Sequence, residues 1–234
     1  FTSPIGKSDV DKIQNAIKGE FISAKRWLVE DGKEILEKSK EKNVVLLAYG
    51  DPYIATTHIE LRTRAIELKI ETRSIHAASS LTSMIGECGL HFYKVGKIAT
   101  IMSEMKSLTY PYYIIYKNII EGNHTVLLLE YNQNKDFFLD PKDALKELLE
   151  TEEGQGRKVL TESSYAIVAS RIGFKDQTIV SGKISNLAQT NFGKPPHTVI
   201  IPGRLHFTES DALKLFGQCI DEPFDNSEKT EKIS

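Results

Sequence analysis

Apolar residues fall in short runs separated by polar stretches rich in glycine and proline, the pattern of alternating strands and helices. The sharpest instance is NVVLLAYGDPYIATTHIELRTRA, residues 43–65. Val44, Val45, Leu46 and Leu47 form a continuous apolar run, too short for most helices, that predicts a strand buried on both faces as in a parallel sheet. Gly50-Asp51-Pro52 ends it. Gly50 permits close approach of the backbone to a ligand, and Asp51 is placed to cap a helix start with Pro52 at the first helical position. Thr57 and Glu60 repeat a capping-box spacing, and Ile59, Ala65, Ile66 and Leu68 keep an apolar face through a helix from about Thr57 to Lys69.

The residues before this segment are polar and broken, with short helices expected over Asp9–Lys18 and Lys33–Lys40. After it, Thr72–His76 reads as a strand, and Ser79 or Ser80 caps a helix carrying Leu81, Met84, Ile85 and Cys88 until Gly89. A short strand over Ile98–Met102 follows. Polar and aromatic residues from Ser103 to Pro111 then break the alternation, which places a linker there. The β-α logic restarts with a helix over Tyr112–Ile120, a strand over Thr125–Leu129 and a helix opened by Asp140-Pro141. Tyr165–Ala169, Gln177–Ser181 and Thr198–Ile201 read as strands of a mixed sheet, with a helix over Ile184–Thr190. The expected division is an N-terminal α/β domain over 1–104, a C-terminal α/β domain over 105–220 and a flexible tail over 221–234.

Composition narrows the classes. At 234 residues, 40% hydrophobic and 26% charged, the chain is an ordinary globular protein large enough for two cores, and no apolar run approaches a membrane span. Thirty basic against 32 acidic residues give a net charge of −2, so no general electrostatic footprint for nucleic acid exists and none is expected to bind directly. Two cysteines cannot build a disulfide framework, which suits a reducing compartment, with the cytoplasm as default. The sequence starts at Phe1 with neither methionine nor a signal pattern.

The common catalytic signatures, G-x-x-x-x-G-K-[ST], strand-linked G-x-G-x-x-G, G-x-S-x-G and H-E-x-x-H, are absent. Cys88 and His91 in CGLH have a spacing zinc ligands use, but no local partners complete a set, so a buried thiol and an incidental histidine are expected and no metal. Asp51 has two readings, a ligand's hydroxyl or amine acceptor at a strand end or a backbone cap. Ser79 and Ser80 favour capping, and His197 in KPPHTVIIPG favours a structural histidine. Tyr110, Tyr112, Tyr113 and Tyr116 favour helix packing and a domain interface over a stacking platform, because no basic groove accompanies them.

YGDPYIATTHIELRTRA, SIHAASSLTSMIGECGLHFYKVGK, GNHTVLLLEYN, VASRIG and FGKPPHTVIIPGRLH, in that order from FTSP to about residue 215, resemble the diphthine synthases, diphthamide-pathway methyltransferases of the tetrapyrrole-methylase superfamily. The resemblance implies two α/β domains of tetrapyrrole-methylase type with S-adenosylmethionine folded into a cleft between them, and a homodimer. It implies successive methyl transfer to the modified histidine of translation elongation factor 2, giving diphthine. By position, it puts cofactor contacts on Asp51, Ile54, Ser79, Ser80, Leu129, Ile172 and His197. It assigns no general base. It further implies a strand carrying a Gly-Leu-Gly turn upstream of FTSP and beside Val44–Leu47, and a shortened sequence is expected here rather than a functional short form.

Rival readings are a methyltransferase of the same superfamily acting on a corrinoid or on ribosomal RNA, and a non-catalytic binding module of the same fold. The charge balance speaks against RNA. Failure of S-adenosylmethionine to shift the melting temperature would mark the binding module.

Overall fold

The computed structural model describes residues 7–105, 107–132 and 135–226, and the chain divides into two compact units at Ser79/Ser80. The first unit is helical: α1 (Lys7–Ala16), α2 (Arg26–Asp31), α3 (Lys33–Ser39) and α4 (His58–Glu67). Leu61 and Ala65, one turn apart on α4, meet Leu36 of α3, with Val29, Ile35, Leu46 and Ile70 packed around them. Gly32 ends α2 and starts α3 at φ +64°, and a Cβ there would come within 2.7 Å of Leu61 and Arg64. Both conformation and space therefore demand glycine. Arg64 braces the junction by donating to the carbonyls of Asp31 at 2.6 Å and Glu30 at 3.1 Å, at the end of α2.

Two expected strands do not form. Residues 44–47 and 72–76 have no ladder, and Val45 and Ile75 are 76% and 80% exposed. A strand buried on both faces needs neighbours for its N–H and C=O groups, and among the described residues no strand pairs with either segment. The expected caps also differ: Asp51 precedes a turn rather than a helix, and α4 begins at His58 with no side-chain cap from Thr57.

The second unit contains α5 (Ser80–Glu87), β1 (Ala99–Ile101), α6 (Thr109–Ile120), β2 (Thr125–Leu129) and the hairpin β3 (Tyr131–Asn132) and β4 (Phe137–Phe138). There follow α7 (Pro141–Gln155), β5 (Tyr165–Ser170), β6 (Thr178–Lys183), α8 (Ile184–Leu187), β7 (His197–Ile201), α9 (Phe207–Phe216) and β8 (Gln218–Cys219). Asp140 caps α7 by accepting from Lys142 N, with Pro141 first in the helix, as the sequence predicts.

Six strands make one mixed sheet in the order β1-β2-β7-β5-β6-β8, parallel at the two edge pairs and antiparallel between them. Strand periodicity sorts its side chains. Ala166 and Val168 of β5 join the core formed with α6, α7 and α8, whereas Tyr165, Ile167 and Ala169 join the core formed with α5 and α9. The result is helix, sheet, helix.

The expected boundary near residue 104 falls inside this unit. β1 hydrogen-bonds in parallel with β2, Ala99 opposite Leu127, and α5 buries Leu81, Met84 and Ile85 against the same sheet. Ser103–Pro111 is therefore a connection inside one α/β layer. The expected flexible tail is also held at its described part: Asn226 is fully buried, accepting from Tyr165 N at 2.8 Å and donating to Tyr165 O at 2.9 Å and Pro202 O at 2.7 Å. The remainder of the expected tail, residues 227–234, lies outside the described residues.

Candidate functional site

In the first unit the Gly50-Asp51-Pro52 turn is a hydrogen-bonded cluster. Gly50 sits at φ +72°, with Ala78 O 3.3 Å from where its Cβ would lie, so the turn packs against the backbone leading to Ser79. Asp51 is only 9% exposed at its side chain. Its Oδ1 accepts Tyr53 N–H at 2.9 Å and its Oδ2 lies 2.7 Å from His76 Nδ1. The Tyr53 amide, then the His76 bond, hold the Asp51 carboxyl below the usual carboxylate range. An ionised carboxylate only accepts, so the proton of that bond sits on His76 Nδ1.

The walls of the turn are aromatic. Tyr53 meets His76 edge-on at 5.9 Å, shares a 2.5 Å bond between its hydroxyl and Ser74 Oγ, and carries Arg62 over its ring at 5.5 Å. Ile54, 40% exposed, follows at the rim, and Ala55 holds a left-handed φ of +55°. Such a φ in a non-glycine residue stores strain that the surrounding turn must hold. Ser79 is buried and Ser80, the first residue of α5, is exposed.

In the second unit the strand ends bring three expected residues to one end of the sheet. Leu129 closes β2, Ile172 follows β5, and His197 opens β7, directly opposite Ser170 in the β5–β7 register. Leu129 is buried in one core and Ile172 packs at the border of the other. His197 Nδ1 shares a 2.8 Å bond with Ser170 Oγ, and its ring stands edge-on to Phe192 at 6.4 Å. Burial lowers the imidazole pKa below its ordinary value; Asp140 opposes the shift and Arg171 adds to it. Arg171 also pins the chain entering β7, its amide donating to Pro196 O at 3.0 Å and its guanidinium to Pro195 O at 3.0 Å.

Three polar residues at these places escape a reading of the sequence. His76 and Ser170 are bonded to Asp51 and His197 from 25 and 27 positions away, a distance no local spacing reveals. Glu130, buried beside Leu129, accepts Ser103 N–H at 2.8 Å and Ser103 Oγ–H at 2.6 Å, which hold its carboxyl below the ordinary range. Its place in LLLEYN, just past an apolar strand, was the available signal.

The opposite end of the sheet carries a different polar cluster. Glu209, fully buried on α9, accepts His91 N–H and His206 N–H at 2.8 Å each, His124 Nε2–H at 2.9 Å and Lys94 Nζ at 2.5 Å. Burial would raise its carboxyl; the bonds from His124, His206, Lys94 and His91 outweigh that and hold it well below the carboxylate range. Cys88 belongs to the core, its thiol pushed up to about 12 by burial, and His91 bonds Thr208 instead. Among the described residues no three His, Cys, Asp or Glu side chains are grouped to hold a metal, and no helix is long and apolar enough to cross a membrane.

Comparison with known proteins places this architecture. The family of Tetrapyrrole (Corrin/Porphyrin) Methylases matches residues 11–188. Diphthine synthase of Methanocaldococcus jannaschii is 35% identical over 225 residues, covering 94% of this chain and 87% of that protein. Diphthine synthase of Methanococcus vannielii is 35% identical over 223 residues with the same coverage. A crystal structure of a diphthine synthase superposes with a TM-score of 0.80 at 28% identity, covering 96% of this chain and 83% of that one. The chain belongs to the tetrapyrrole methylase family, on its diphthine synthase branch.

Proposed function

We propose that this chain is a methyltransferase of diphthamide biosynthesis, transferring methyl groups to the modified histidine of translation elongation factor 2. The observation that carries the reading is likeness to diphthine synthases across 94% of the chain, in sequence and in fold. We further propose a homodimer working in the cytoplasm.

S-adenosylmethionine, the donor this family membership points to, supplies when bound a sulfonium methyl open to in-line displacement by an unprotonated amine. The residues present suit such a molecule. Asp51, kept ionised, offers acceptors for hydroxyl or amine donors, and Ile54, Ser79 and Ser80 follow it in the same stretch. Leu129 and Ile172 offer apolar surface that excludes water, and His197, kept neutral by burial, adds no positive charge to repel a sulfonium. Positioning of the two reactants, rather than a dedicated nucleophile, supplies the rate. The test is transfer of radiolabelled methyl to elongation factor 2 carrying the unmethylated intermediate, beside unmodified factor and bulk ribosomal RNA. Label is expected on the intermediate alone. Label on RNA, or none on the intermediate, overturns the reading.

A further inference from the structure

Helix α6 turns three tyrosines outward or toward its flank, at steps of three residues: Tyr110, 53% exposed, Tyr113, 42% exposed, and the half-buried Tyr116. Each carries a cation over its ring. Lys97 Nζ, from the segment before β1, lies 5.4 Å from the Tyr110 centroid; Lys117 Nζ, from α6 itself, lies 5.3 Å from that of Tyr113. Arg157 Cζ, from the loop after α7, lies 4.7 Å from that of Tyr116. The three cations are exposed, and among the described residues none has a carboxylate within ion-pair distance. The sequence shows no basic groove around these tyrosines because two of the three cations arrive from other elements.

We propose that this face of α6 is a docking surface for an acidic segment of a folded protein, which under the function proposed above is the protein substrate. Charge complementarity selects the occupant: exposed cations without counter-ions among the described residues, seated on tyrosines spaced along about 9 Å of helix, pair with carboxylates without losing their seats on the rings. Nucleic-acid bases would have to displace the cations to stack, and the chain's net charge of −2 gives no wider polyanion field. The tyrosine faces pre-orient the lysine and arginine heads, so less side-chain entropy is lost on docking.

The test uses the full chain with Lys97→Glu, Lys117→Glu and Arg157→Glu combined, and a milder Lys97→Gln/Lys117→Gln variant should the first fail to fold. Methyl transfer is measured against factor concentration and salt. The KM for the factor is expected to rise about tenfold in the triple variant and less in the milder one, with kcat and the KM for S-adenosylmethionine within about twofold and a flatter salt dependence. Unchanged factor KM and salt slope overturn the proposal. So does a change of oligomeric mass without loss of factor affinity, which gives the face to a second copy, or loss of RNA retention with the factor KM unmoved. If the unaltered chain puts no methyl on the factor, the proposed function fails instead, and docking is then read from direct binding of the factor to both proteins: weaker binding by the variant supports it and equal binding overturns it.

Discussion

Replacing Glu209 with alanine removes the acceptor for four donors at once: the amides of His91 and His206, His124 Nε2–H and Lys94 Nζ. Lys94 keeps the Arg204 carbonyl, but His124, fully buried, loses the partner of its ring N–H while its Nδ1 remains engaged by Gly203 N–H at 3.1 Å. One buried, unpaired donor costs about 1–3 kcal/mol, and breaking a buried charged pair costs about 3–5 kcal/mol in all. For a chain of this size that is a fall in melting temperature of roughly 6–20 °C. Because the folded carboxyl is held below its unfolded value, Glu209 contributes fully above the ordinary carboxylate range and progressively less as pH falls beneath it. The gap between parent and Glu209→Ala in thermal or urea melts is therefore expected to be full at pH 7 and to narrow below about pH 4. S-adenosylmethionine affinity of the folded variant should hold, since Glu209 and His197 lie at opposite ends of the sheet. A loss under about 1 kcal/mol, or a gap that widens on acidification, would refute the reasoning.

Asp51→Ala should weaken S-adenosylmethionine binding by calorimetry more than it lowers the ligand-free melting temperature; equal loss of both would make Asp51 a structural element of its turn. Because burial depresses the His197 pKa, cofactor affinity should stay level as pH falls through the ordinary histidine range and drop only below it, and a midpoint at or above about 6.5 would contradict a buried neutral ring. Asn226→Ala strips three hydrogen bonds from the Tyr165 backbone and Pro202 and should cost about 2–3 kcal/mol in urea melts, whereas a true tail residue would cost nothing measurable.

Much of the second unit was legible. β2 over Thr125–Leu129, the capped start of α7 at Asp140-Pro141 and the three central strands follow from apolar runs and local capping chemistry, which need only neighbours in sequence. Val44–Leu47 carries an equally strong strand pattern and forms none, because a strand exists only with the chain that pairs beside it. The family motifs name Asp51 and His197. They do not show that His76 holds the first and Ser170 the second, since those bonds span turns that only the folded backbone closes.

By itself, then, the sequence determined most of the longer elements between residues 80 and 201, the α/β class and the family, all of which rest on periodicity, caps and motif order; the hairpin β3–β4, α9 and β8 lay outside its pattern. Only the tertiary structure decided which strands share one sheet, that β1 and α5 belong with β2 rather than with the segment before them, and which charges are buried with partners. Those outcomes depend on long-range pairing. A carboxylate such as Glu209 is stable out of water only when donors from distant segments converge on it, and convergence is a property of the fold.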